Sequence, residues 1–148
     1  MFQLIYVQVC SPVEAATDRL AGALAGTPWA VRRARGSGAR LALEIYEAGS
    51  LADIIVTTPV AAPVLRGARR SRGAGQAFGL AWGRLPAGGQ PVTVAFKRGA
   101  PRFETAQAEV IEVAGLAWFA VLTGRFAVVS AAYHGGSERL RLRTGSLW

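Results

Sequence analysis

The order of apolar and polar positions predicts a β-rich chain with one helix near its start. Phe2 to Val9 is apolar, β-branched and aromatic except for Gln3 and Gln8, which suits a strand buried on both faces. Ser11-Pro12-Val13-Glu14 follows. Serine can accept a hydrogen bond from the first turn, proline fits the first helical position, and glutamate can reach back to complete a capping box. The helix should run to about Ala25, with Val13, Ala16, Leu20, Ala23 and Leu24 on one stripe, and Gly26 with Pro28 should end it.

Trp29 to Arg35 and Arg40 to Glu47 flank Gly36-Ser37-Gly38, the pattern of a hairpin with a glycine-permitted turn. The second of these strands sets Leu41, Leu43 and Ile45 against Ala42, Glu44 and Tyr46, so one face should be wet. A further strand, Ala52 to Thr58, starts after Gly49-Ser50 and stops at Pro59, making the opening part (1–59) β-α-β-β-β. Val60 to Gln76 carries prolines, glycines and four arginines with little periodicity, which predicts a mobile basic loop over 60–76.

From 77 to 148 every segment reads as strand. Ala77 to Arg84 alternates Phe78, Leu80 and Trp82 with alanine and glycine. Val92, Val94 and Phe96 share a face, and Ile111 and Val113 share another with Glu112 opposite. Leu116 to Leu122, Phe126 to Tyr133 and Glu138 to Arg143 complete the series, with turns at Gly124 and Gly135-Gly136. The expected class is α+β, mainly antiparallel β as a sandwich or barrel-like sheet, with the amphipathic helix after the first strand. At 148 residues the chain is expected to form a single domain spanning 1–148.

Composition adds a location for the charge. The chain has 17 basic and nine acidic residues, a net +8. Between Asp53 and Glu104 there is no acid, while Arg66, Arg69, Arg70, Arg72, Arg84, Lys97, Arg98 and Arg102 all fall there. Such a segment draws anionic partners through a long-range, salt-sensitive field. Sixteen of the 17 basic residues are arginine and alanine and glycine abound, a bias resembling that of GC-rich bacterial genomes, so part of the arginine signal is codon usage.

No signal peptide is read at Met1–Tyr6, which lacks a basic n-region. The longest apolar stretch, Val113 to Leu122, falls well short of the ~20 residues of a membrane helix. The single cysteine fits a reducing compartment, so the expected setting is soluble and cytoplasmic.

A resemblance comes from Gly83-Arg84-Leu85-Pro86, Pro91-Val92-Thr93-Val94, Gly115-Leu116-Ala117-Trp118-Phe119, Val128-Val129 and Tyr133-His134-Gly135-Gly136. Together they resemble a β-rich module of uncharacterised actinobacterial proteins, often carried behind a membrane anchor. The likeness covers residues 77–142 and implies a sheet fold without catalytic residues. This sequence departs from it in showing no anchor and in having His134 where the final turn usually carries an acid.

Candidates for chemistry are few. Cys10 precedes the helix start, where amide donors would favour a thiolate, but a lone cysteine at a strand end is more often a buried structural residue. His134 is the sole histidine and sits at an expected turn tip, where nothing excludes water. No metal is expected: Glu44 with Glu47, and Glu109 with Glu112, straddle opposite strand faces, and no ligand spacing links them to Cys10 or His134. Gly73 to Gly79 superficially resembles a dinucleotide fingerprint, but it precedes a strand and meets no helix N-terminus. The reading is therefore no enzyme and no cofactor.

What remains is binding. Arg66, Arg69, Arg70, Arg72, Arg84, Lys97 and Arg98 form the expected binding set. The first expectation is a noncatalytic protein-interaction or self-assembly module with a basic surface loop. The alternative is a nucleic-acid-binding protein using the basic 54–103 region, with Phe78 and Trp82 available to stack bases unless, as their alternation suggests, they pack the core. Arg139, Arg141 and Arg143 alternate with leucines, as on an edge strand whose charges discourage aggregation, and Leu147-Trp148 is an apolar end able to dock.

Overall fold

A computed structural model describes residues 12–35, 40–56 and 63–144. Helix α1 (Pro12–Leu24) is followed by β1 (Trp29–Arg35), β2 (Leu41–Glu47), β3 (Ser50–Val56), β4 (Leu65–Gly73), β5 (Gln76–Arg84), β6 (Thr93–Lys97), β7 (Thr105–Ala108), β8 (Val110–Val113), β9 (Ala117–Thr123), β10 (Val128–Tyr133), β11 (Gly136–Arg141) and β12 (Arg143–Thr144). They form three sheets, none closed into a barrel. The first sheet has the order β1-β2-β3, the central sheet β12-β4-β5-β9-β8, and the distal sheet β11-β10-β6-β7. Every pairing is antiparallel except that of β12 with β4. The class is α+β and dominated by antiparallel sheet.

The alternation in β5 explains the stacking. Phe78, Leu80 and Trp82 point to one side and join Leu43, Ile45 and Ile55 of the first sheet with Leu20 and Leu24 of α1 in one apolar cluster. Ala81 points the other way into a second cluster with Val94, Phe96, Val129 and Trp118. A methyl group at Gly79 would sit 3.0 Å from Phe96, so the small residues of β5 let the distal sheet approach. The central sheet is thus covered on both faces, by the first sheet and α1 on one and on the other by the distal sheet, whose Phe96 packs against the small residues of β5.

The helix ends at Gly26, whose φ of +78° favours glycine, and Thr27 closes the last turn by donating from N and Oγ1 to the Leu24 carbonyl. Leu20 and Leu24 are buried as expected, whereas Ala16 and Ala23 are only half-buried. The hairpin over 29–47 forms, with Leu43 and Ile45 facing the core. Its outer face holds Tyr46, whose hydroxyl donates to Glu44, itself 3.6 Å from Arg32. The expected strand over 2–9, the Ser11 cap, Cys10 and the turn at 36–38 lie outside the described residues.

The main correction concerns 60–76. Its described part is not a loop: Leu65–Gly73 is a nine-residue strand paired with β5 along its length. Ala74 and Gly75, at φ +50° and +77°, make a two-residue hairpin turn of the kind that matches strand twist, and the glycine-containing stretch resembling a nucleotide fingerprint is this turn. A bulge at Arg66 leaves that residue unpaired between Leu65 and Gly67. It also breaks the period, which is why the strand carries no clean alternation in sequence. Strand β7 was likewise unexpected.

Candidate functional site

The β4 strand divides its arginines between two faces. Beyond the bulge, Gly67 lies against Trp82 on the first-sheet side, and Ala68 enters the distal-sheet cluster. Arg69 therefore shares the side of Gly67, while Arg70 and Arg72 take the side of Ala68.

On the first-sheet side the arginines are engaged. Arg66 donates from Nε and Nη2 to the Asp53 carboxylate at 3.0 and 2.8 Å. The same carboxylate accepts from the buried Trp82 indole at 2.9 Å and from the Ile54 amide at 2.8 Å. Partial burial raises the Asp53 carboxyl's pKa, but the hydrogen bonds from Arg66 and Trp82 outweigh it and hold the group below its ordinary value. Arg69 lies 3.8 Å from Glu47, with its guanidinium 6.0 Å from the Trp82 ring centroid. Arg66 and Arg69 thus fasten the first sheet to the central one.

The distal-sheet side is different. A concavity of about 380 Å³ is lined by Arg70 of β4, Lys97 and Arg98 at the end of β6, and Arg139 and Arg141 of β11. Five cations meet there, and among the described residues no carboxylate lines it. The topology brings them together: Leu142 is buried between β11 and β12, so the chain steps from the distal to the central sheet. β12 then runs beside β4 with Arg143 opposite Arg69 and Thr144 opposite Arg70. Arg70 Nε donates to Thr144 Oγ1 at 3.1 Å.

Arg70 also lines a neighbouring concavity of about 550 Å³ with Arg72, Arg125, Phe78 and Glu47. Ser71 Oγ, in the wall of that concavity, is one of two buried polar atoms among the described residues with no hydrogen-bond partner. Lys97 and Arg139 continue the groove onto the outer face of the distal sheet, over Ala95, Ser130 and Ala132. Phe103 stands beside it, 59% exposed, with Lys97 Nζ 5.7 Å from its ring centroid. Arg98 lies 5.2 Å from the Phe126 ring centroid and 3.6 Å from Glu104.

Of the seven residues expected to bind, Arg70, Lys97 and Arg98 line the cationic concavity, and Arg72 lines the neighbouring one that Arg70 also borders. Arg66 and Arg69 are turned away from both, and Arg84 lies at the far end of β5. Arg139, Arg141 and Phe103 belong to the cationic concavity and Arg125 to its neighbour, and none was in the expected set. Phe78 and Trp82 are core residues. His134 occupies the exposed turn between β10 and β11. Glu109 pairs with Arg19 of α1, and among the described residues no three side chains of metal-ligating type cluster. None of the described helices is long and apolar enough to cross a membrane. A scan against protein-family models and searches among curated proteins and solved structures each find no match to this chain.

Proposed function

We propose that this chain is a noncatalytic binding module that holds an anionic polymer along the groove running from Arg70 at the β4 edge of the central sheet onto the outer face of the distal sheet. The observation that carries the reading is the convergence of Arg70, Lys97, Arg98, Arg139 and Arg141 on one concavity whose described lining holds no carboxylate. Like charges gathered from three separate strands cost stability unless an anion neutralises them, and among the described residues Arg98 alone of the five has a carboxylate within 4 Å, that of Glu104 at 3.6 Å. The test is a titration with linear polyanions at several salt concentrations. Each cation engaged adds roughly 0.7–0.9 to the slope of log affinity against log salt. Arg70→Ala/Arg141→Ala should therefore flatten the slope by about 1.5. Absence of binding at low salt, or an unchanged slope in the double variant, refutes the proposal.

A second reading, self-assembly, is favoured by β3. This edge strand exposes Leu51 (51%), Ile54 (41%) and Val56 (41%), an apolar row that edge strands usually avoid. It predicts a mass in solution that rises with concentration and reverts to the monomer in Ile54→Lys; a monomer at all concentrations removes it.

A further inference from the structure

We infer that the polymer held in the groove is an unpaired nucleic-acid strand, with Phe103 as the platform on which a base stacks. The inference rests on the anion-binding reading above and adds to it the identity of the occupant. A groove for an acidic peptide needs cations alone. This one also presents an aromatic ring where the cations meet.

Three observations favour a nucleic acid. First, Phe103 is the most exposed large apolar side chain among the described residues, at 59%. Its backbone has φ +44°, a region that costs a bulky residue energy. Second, the ring is embedded in the cationic cluster, lining the same concavity as Arg98, Arg139 and Arg141, with the Lys97 ammonium 5.7 Å from its centroid. A base on this ring would have its phosphates within reach of those cations. Third, Arg139 and Arg141 stand on one face of β11, two residues and so about 6.8 Å apart, a separation that an extended sugar–phosphate backbone can follow.

The neighbouring sheet surface suits unstacked bases as well. In the register across the distal sheet, Arg141, Val128, Lys97 and Thr105 form one row, and Arg139, Ser130, Ala95 and Gln107 the next. Small side chains therefore lie between the cations, leaving room for flat rings against the sheet. Aromatic stacking with a cationic groove is the general means of holding single strands without sequence readout. Duplexes offer no free base face, so the same groove should discriminate against them.

The test uses three probes on the full chain: a labelled oligothymidylate, the same oligothymidylate annealed to its complement, and a poly-glutamate peptide of matched charge. The expected result is tightest binding of the unpaired oligonucleotide. Phe103→Ala should weaken that probe by about 5- to 150-fold while leaving its salt slope and the poly-glutamate affinity unchanged. The side chain is exposed, so the variant should keep its circular dichroism spectrum, and Phe103→Trp should restore binding. Equal loss for both polyanions, no loss for either, or duplex bound as tightly as the single strand overturns the inference while leaving the groove as an anion site. If no polyanion binds at low salt, the groove reading itself has failed.

Discussion

Removing the Asp53 carboxylate should weaken the joint between the first and central sheets, and the size of the loss can be worked from its partners. Trp82 is only 2% exposed, and its indole N–H points at Asp53 Oδ2 at 2.9 Å. In Asp53→Ala that buried donor has no acceptor, which costs about 1–3 kcal/mol. The paired Arg66 and Asp53 side chains retain 30% and 20% exposure, so solvent screens them, and their loss adds only about 1 kcal/mol. The Ile54 amide, being exposed, is rehydrated at little cost. A total near 3 kcal/mol corresponds to a fall of roughly 6–12 °C in melting temperature for a chain of this size.

Urea and thermal unfolding followed by tryptophan fluorescence would measure it. The same carboxylate predicts a pH signature. Because its folded pKa lies below the ordinary value, its contribution is complete above about pH 4 and is lost as pH falls through the folded value. Wild-type stability should therefore drop more steeply below pH 4 than that of Asp53→Asn. A loss below about 1 kcal/mol in Asp53→Ala, or identical acid limbs, would show that Asp53 does not fasten the sheets as argued.

Two further variants probe other joints. Glu138 accepts from the Val64 and Leu65 amides at 3.1 and 3.3 Å and from the Tyr133 hydroxyl at 2.8 Å, tying β11 to the start of β4, so Glu138→Ala should destabilise by about 2–3 kcal/mol in urea unfolding. Its hydrogen bond to Tyr133 also raises the tyrosine's pKa, so ultraviolet titration should find that residue ionising earlier in the variant. Ala74 holds φ +50° in a turn that prefers asparagine at its first position, so Ala74→Asn should raise stability by about 0.5–1 kcal/mol in the same assay.

The sequence disclosed those elements whose cause is local. The helix stop at Gly26 needs only a residue tolerant of positive φ, and the hairpin of Trp29–Arg35 with Leu41–Glu47 needs only alternation. In β5 the large-small alternation was visible, but its meaning was not: glycine and alanine mark a second covered face rather than a wet one. Strand β4 was hidden because its side chains are mostly arginine, glycine and alanine and its bulge at Arg66 shifts the period. The pair Ala74-Gly75 was a usable signal for it, since glycine at the second position of a two-residue turn permits the hairpin. Strand β7, Thr-Ala-Gln-Ala, has no large apolar residue to betray it. The groove was legible only in part. Lys97 and Arg98 lie on the segment singled out by charge, but Arg139 and Arg141 reach Arg70 because β12 docks parallel to β4 from 74 residues away, a pairing no local pattern announces.

Strand β4 sorts its arginines by face: Arg66 and Arg69 bind Asp53 and Glu47 of the first sheet, whereas Arg70 and Arg72 face the concavities proposed to hold a polyanion. The most direct measurement compares Arg66→Ala/Arg69→Ala with Arg70→Ala/Arg72→Ala, recording unfolding free energy and the salt slope of oligonucleotide binding for each. The first pair should lose stability and keep its slope, and the second should keep its stability and flatten its slope by about 1.4. Equal effects of the two pairs on binding would contradict the sorting.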